Sequence, residues 1–223
     1  VPWATPVAGK HTASKGEWYW EYSDNELNQI DDAETIRDHM LRAIFGSFAN
    51  AKKNPKYAPN KLTWVAYVGG KRESRRLMGD HIYDMHDAVK RHEFPDAVVV
   101  EKREVDGHYQ RKLKGAKEDF LSTAMFHKTG GYYYIPFRSF YSRNLSNLMM
   151  AGRCFSCTHV GLCGPRVMNT CGQMGIATGY AAVLCKKHNA SPKEVGLSHI
   201  KELRKLIGFD SSKLVNNPSK SGH

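Results

Sequence analysis

The longest apolar stretch of the chain runs from Arg166 to about Cys185, broken only by Thr, Asn, Gln and glycine, with Pro165 where a helix could begin. On a helical wheel Gly172, Gly175, Ile176, Gly179 and Val183 fall on one stripe. Each glycine costs a helix about 1 kcal/mol relative to alanine. Three on one face therefore call for close approach by a strand, another helix or a flat ligand. Upstream, Leu148 to Ala151 is a short apolar run that stops at Gly152, the pattern of a buried strand, and a loop rich in Cys and Gly follows. The start of the helix adds unpaired backbone N–H groups and a positive dipole end, suited to an anionic or electron-rich group. Strand, turn and small-faced helix together read as a ligand-facing unit.

Patterning elsewhere is less marked. Asp31 as N-cap with Glu34 forms a capping box, and Ile36, Met40, Leu41 and Ile44 follow at helical spacing until Gly46. Residues 52–60 hold Pro55 and Pro59 and read as a loop, and 62–68 (LTWVAYV) as a strand ended by Gly69-Gly70. GEWYWEYS, at 16–23, reads as a strand with an aromatic face, and 94–100 as a turn into a buried strand. The charged stretch from Glu101 to Asp119 reads as an exposed hairpin or loop. A tyrosine run at 132–134 meets Pro136, which presents Phe137, Arg138 and Ser139 on a turn. Ser191-Pro192 makes an N-cap and first-position pair, Ser198 opens a last amphipathic helix through Leu203, Leu206 and Ile207, and the tail from Asp210 is polar.

At 223 residues with 41% hydrophobic and 25% charged content, the chain has the make-up of a globular protein, and no apolar run is long enough to span a membrane. A net charge of +11 and a pI near 9.4 invite a nucleic-acid reading. Lys and Arg are scattered, however, with small clusters at Lys71–Arg76, Arg111–Lys117 and Lys201–Lys205. They read as a solvated surface plus a few arginines facing an anionic cofactor or substrate. Arg72, Arg75 and Arg76 lie within five residues, and such planar, permanently charged groups suit a carboxylate or phosphate. An odd count of five cysteines argues against a disulfide framework and for a reducing compartment, hence the cytoplasm; a periplasmic site follows if a preceding segment carries a signal. Cys154-Phe-Ser-Cys157, with Cys163, Cys171 and His159 behind it, admits three readings: a metal site, a redox pair beside Arg153, or small thiols filling a tight turn. The spacing of His81, His86 and His92 is not that of metal ligands, and no metal is expected.

The string NLMMAGRCFS at 147–156 followed by RVMNTCGQMGIATGYAA at 166–182 closely resembles the C-terminal flavin-binding segment of the FAD-dependent oxidoreductase family, a distant relation of the fumarate reductase/succinate dehydrogenase flavoproteins. The resemblance extends to YYYIPFRS at 132–139, FPDAVV at 94–99 and GKRESRRLMGD at 70–80. It implies an α/β (α+β) fold: the C-terminal part of a glutathione-reductase-like FAD-binding fold plus part of a substrate domain. Residues 1–130 would belong to the substrate or cap domain, 131–209 to the FAD-contacting segment and its helices, and 210–223 to a flexible tail.

By the same resemblance, Ala151, Gly152 and Arg153 run past the ribityl and pyrophosphate of FAD, although many relatives have an acidic residue where Arg153 stands. Cys154 follows that turn as it commonly does in the family, without a catalytic role. Arg166, Val167, Met168 and Thr170 bring the helix start to the pyrimidine edge of the isoalloxazine. Arg166 matches an arginine that clamps a substrate carboxylate, Arg75 or Arg76 is nearest to the proton-donating arginine of the fumarate reductases, and Arg138 lies close to the flavin. Tyr134 is a substrate-side hydroxyl candidate, and His159, beside Thr158, is either a proton-transfer group or a satisfied turn residue.

No Gly-x-Gly-x-x-Gly string occurs in the chain, although the family needs one to hold the pyrophosphate. The expectation is therefore the C-terminal portion of an oxidoreductase that moves a hydride between an organic substrate, sugar-derived or a hydroxy acid, and FAD. Its partners would be a small-molecule substrate and the N-terminal FAD-binding half, on the same or a companion polypeptide, with no membrane. The alternative is a non-catalytic basic module of flavoprotein ancestry that contacts nucleic acid or an acidic partner.

Overall fold

Helices form where the apolar spacing and the caps agree, and the strands pair only where two β-rich runs meet. The structure, a computed structural model, describes residues 2–5, 26–71, 73, 75–111, 121–210 and 212. The aromatic strand expected at 16–23, Arg72 and the tail beyond 212 lie outside the described residues. The chain divides into two compact units, Val1–Ser74 with His108–Met125, and Arg75–Gly107 with Phe126–His223. Its make-up of helices and two-stranded sheets is an α+β arrangement.

The first unit holds helix α1, Ala33–Ala51. The expected capping box is absent: the N-cap is Asp32, whose carboxylate accepts from the Asn28 amide at 2.8 Å instead of from the helix. The helix also runs through Gly46, which is buried within it. The Thr5 amide donates to the Arg42 carbonyl, Trp3 meets Phe45 edge-on at 4.9 Å, and Arg37 lies over the Tyr67 ring at 4.8 Å. The strand expected at 62–68 does not form. Trp64, Tyr67 and Val68 are largely exposed, and β-propensity without a partner ladder does not hold a strand.

In the second unit, the five-residue helix α2, Met85–Val89, is capped by Asp84. Strand β1, Ala97–Glu101, pairs antiparallel with β4, Tyr133–Pro136, so that Val99 faces Ile135 and Glu101 faces Tyr133. Segments from either side of residue 130 thus share one sheet. Strands β2, Val105–Arg111, and β3, Leu121–His127, make the other sheet, of which His108–Met125 falls in the first unit. The stretch expected to be exposed from Glu101 is buried at Val105, Asp106 and Gly107. The run Leu148–Ala151 is not a strand: Met149 makes one isolated antiparallel bridge to Tyr141. The bonds there run from the Met150 amide to the Phe140 carbonyl and from the Ser142 amide to the Leu148 carbonyl.

Four helices complete this unit: α3, His159–Leu162; α4, Met168–His188; α5, Pro192–Ser198; and α6, Ile200–Ile207. The expected Ser191 N-cap and first-turn Pro192 are present in α5, and Glu194 completes a capping box that the spacing had not signalled. Helix α6 begins at Ile200 with His199 as N-cap, two residues after the expected Ser198. Met174, Ala177, Ala181 and Leu184 form the inner face of α4. Val98, Val99, Ile135, Phe137, Phe140, Phe155, Leu162, Val195 and Leu203 join them in one buried cluster.

Gly161 is required by space. A Cβ there would stand 2.5 Å from the Tyr83 carbonyl and 2.8 Å from the Asp84 Cα, both backbone atoms. Gly161→Ala is expected to destabilise the chain by about 1–3 kcal/mol, read as a lower denaturant midpoint at unchanged slope. A midpoint that stays put contradicts the packing described.

Candidate functional site

The segments singled out on both sides of the cysteine loop come together in the second unit. Residues 77–83 run alongside 154–158: the Leu77 amide donates to the Cys154 carbonyl at 3.0 Å, the Tyr83 amide to Ser156, and the Thr158 amide back to Tyr83. A parallel bridge joins Tyr83 to Cys157. On the other side, the Ser156 amide donates to Ser139 and the His81 amide to Arg138. Arg76, Arg138 and Cys154 are therefore drawn to neighbouring backbone segments, while Arg75 is exposed.

A single 3-10 turn, Gly152–Cys154, carries Gly152 at φ +73°, a left-handed conformation that glycine adopts without strain. A Cβ on Gly152 would come within 4 Å only of Cys171, whose Sγ is 3.9 Å away. This turn thus rests against the first turns of α4, at Cys171. The thiols donate to local carbonyls, Cys154 to Ala151, Cys163 to His159, and Cys171 to Pro165 and Arg166. All five cysteines are free. Burial pushes the Cys171 thiol up, although Arg153 pulls the other way. A thiolate-favouring site would have the opposite shift.

The start of α4 is bare. Its N-cap is Val167, no side chain caps it, and Met168 is 91% exposed. The first-turn N–H groups of such a helix lack intrahelical acceptors and carry the positive end of the dipole. Thr170 turns inward, completely buried, and its hydroxyl donates to Glu101. Gln173 reaches the same strand: its amide donates to the Val100 carbonyl at 2.9 Å and its oxygen accepts from the Val100 amide at 3.1 Å. Farther along, the outer face of α4 carries Gly172, Gly175 and Gly179, and a Cβ on any of them would meet nothing within 4 Å among the described residues. Ile176, Tyr180 and Val183 beside them are 54%, 42% and 59% exposed.

Two of the sequence-selected arginines are held by buried aspartates. Arg166 meets Asp106 at 3.2 Å, where Arg103 also binds at 2.8 Å. Arg138 meets Asp96 at 3.2 Å and lies over Phe94 at 5.6 Å, while its own amide donates to the same carboxylate. His159 is exposed at the first position of α3, whose N-cap Thr158 accepts from the Gly161 amide. Tyr134 is buried against Phe209, and burial raises its hydroxyl pKa. Asp96, Asp106, Glu101 and Gln173 were not found from sequence. The only signal was Gln173, one of two amide side chains inside an apolar run.

Asp87 accepts from both His81, at 2.7 Å, and His92, at 2.9 Å. Burial alone would raise its carboxyl pKa, but these two hydrogen bonds and the Asp84 amide hold it below the usual value. A depressed folded pKa adds stability above the unfolded value of about 3.9 and loses it as pH falls through the folded one. Stability of the wild-type chain should therefore decline more steeply below about pH 4 than that of Asp87→Asn, in denaturant melts across pH. Parallel declines contradict the assignment. In the same assay Arg166→Ala should cost about 1–3 kcal/mol, because it strips a partner from buried Asp106. Arg75→Ala should cost less than about 0.5 kcal/mol.

No curated protein and no solved structure matches the chain. The sequence model of one family, described as FAD dependent oxidoreductase, matches residues 4–207. That span includes the glycine turn, the arginine segments and the whole of α4, so the chain belongs to the FAD dependent oxidoreductase family.

Proposed function

We propose that this chain is the C-terminal portion of a flavoenzyme, with α4 and the Gly152 turn closing one side of an FAD site. One observation carries the reading. Between Gly172 and Val183 the outer face of α4 is glycine, Ile176, Tyr180, Ala182 and Val183, and among the described residues a Cβ on any of its three glycines would meet nothing within 4 Å. A helix without a polar face belongs inside a larger structure. The chain contains no Gly-x-Gly-x-x-Gly, so the occupant we assign is the dinucleotide-binding half of a glutathione-reductase-like fold, on the same or a companion polypeptide.

The residues present fit the cofactor at one point. The uncapped start of α4 and the left-handed Gly152 stand together, and a helix N-terminus of this length suits an electron-rich or anionic edge. Met168 and Val167 would offer their amides, and Gly152 its bare backbone. When bound, FAD supplies the two-electron acceptor for an organic substrate. The chain contributes positive charge: Arg138, the better exposed of the two paired arginines, orients a substrate anion while Asp96 fixes its guanidinium. Arg76 lies one residue from the Cys154 contact and is our choice for moving a proton, with Arg166 as the carboxylate clamp. A hydroxy acid or sugar-derived acid suits such a set, and distant kinship with fumarate reductase flavoproteins belongs to the same reading.

Protein isolated from its native source tests this by intact mass and absorbance together. The expected result is bound oxidised flavin and a mass well above 25.2 kDa, or a flavin-bearing companion that copurifies. A colourless 25.2 kDa protein that binds nucleic acid in a salt-sensitive way overturns the proposal in favour of a basic binding module.

A further inference from the structure

At the end of α4 remote from the flavin-facing turn, about 30 Å away for a helix of this length, three side chains converge without an assigned role. His188 is the last residue of α4, His199 is the N-cap of α6, and Glu202 lies in the first turn of α6. One ligand atom from each lies within 4.8 Å of the other two, and among the described residues no other group of three His, Cys, Asp or Glu does this. The imidazoles of His188 and His199 are stacked, 3.9 Å between centroids and 8° from parallel. His188 Nε2 is 2.8 Å from one Glu202 oxygen, and Lys187 Nζ is 2.7 Å from the other. Among the described residues neither ring nitrogen of His199 has a hydrogen-bond partner.

We infer that His188, His199 and Glu202 form a binding site for a divalent late first-row transition metal, zinc or its chemical neighbours, clipping the C-terminus of α4 to the start of α6. The donor set argues for this class. Two imidazole nitrogens and one carboxylate oxygen match a three-ligand zinc site that leaves a position for water, whereas magnesium and calcium prefer all-oxygen shells. Glu202 holds one carboxylate oxygen against His188 and the other against Lys187. All three side chains are reachable, with His188 and Glu202 at 26% and 33% exposure.

Binding requires limited movement. The donors must draw in to metal distances of about 2.0–2.2 Å, and the parallel rings must splay so that both nitrogens point at one ion. His188 gives up its hydrogen bond to Glu202 and binds as the Nδ1–H tautomer, so that Nε2 presents its lone pair to the ion. Glu202 can keep Lys187 on one oxygen and give the other to the metal. This site makes no use of flavin, and its test does not depend on the oxidoreductase reading.

Cobalt(II) chloride titrated into the full chain is the probe, followed by absorbance and then displacement with zinc chloride. The expected result is one equivalent bound, with d–d bands, no thiolate charge-transfer band, and full displacement by zinc. His199→Ala and Glu202→Gln should each weaken cobalt binding at least ~10-fold, while metal-free melting temperatures stay near that of wild type. The proposal is overturned if cobalt does not bind, if both variants bind it as the wild type does, or if a thiolate band shows the ion at the cysteines instead.

Discussion

Helix α4 has two faces, and among the described residues only one of them is covered. Met174, Ala177, Ala181 and Leu184 pack inward against β1, α5 and α6, and Gln173 and Thr170 fasten the helix to Val100 and Glu101. That packing sets where the first turn points, and with it the turn at Gly152. The opposite face offers glycine backbone and apolar side chains to open space. Burying such a face is favourable by roughly 25 cal/mol per Å² of apolar surface. Leaving three glycines in the interior of an exposed helix works against its stability. A helix selected only for the stability of this chain would carry alanine or polar residues there.

Charge follows a parallel arrangement. The excess of basic residues does not form one patch; several of the arginines are committed to specific acceptors. Arg166 and Arg103 converge on Asp106, Arg138 on Asp96, and Arg204 on the Ala97 and Phe94 carbonyls. Buried carboxylates of this kind orient guanidinium groups near the end of the sheet, and an oriented guanidinium loses less freedom when it meets a substrate anion.

How far this was legible in the sequence depended on range. Two signals close to one another in the chain read well: the Ser191 N-cap with the proline after it, and the apolar run of α4, stand where residue spacing put them. Local propensity misled where a distant partner decides. LTWVAYV is β-rich but finds no ladder, and Leu148–Ala151 gains only a bridge. A local signal failed too: the Asp31–Glu34 capping box does not form, because Asp32 takes the N-cap position and its carboxylate accepts from the Asn28 amide. Asp96 and Asp106 gave no sequence signal as partners of Arg138 and Arg166, 42 and 60 residues away. The glycine stripe was legible as an oddity, and the structure adds that this oddity faces outward.

The claim that the outer face of α4 serves something beyond this chain is tested most directly by replacing Gly172, Gly175 and Gly179 together with alanine. Unfolding of the chain and flavin retention by the enzyme from its native source would be measured side by side. The account predicts a chain more stable by roughly 1 kcal/mol per glycine, and an enzyme that loses its flavin. A less stable chain, or an enzyme that keeps its flavin unchanged, would contradict it.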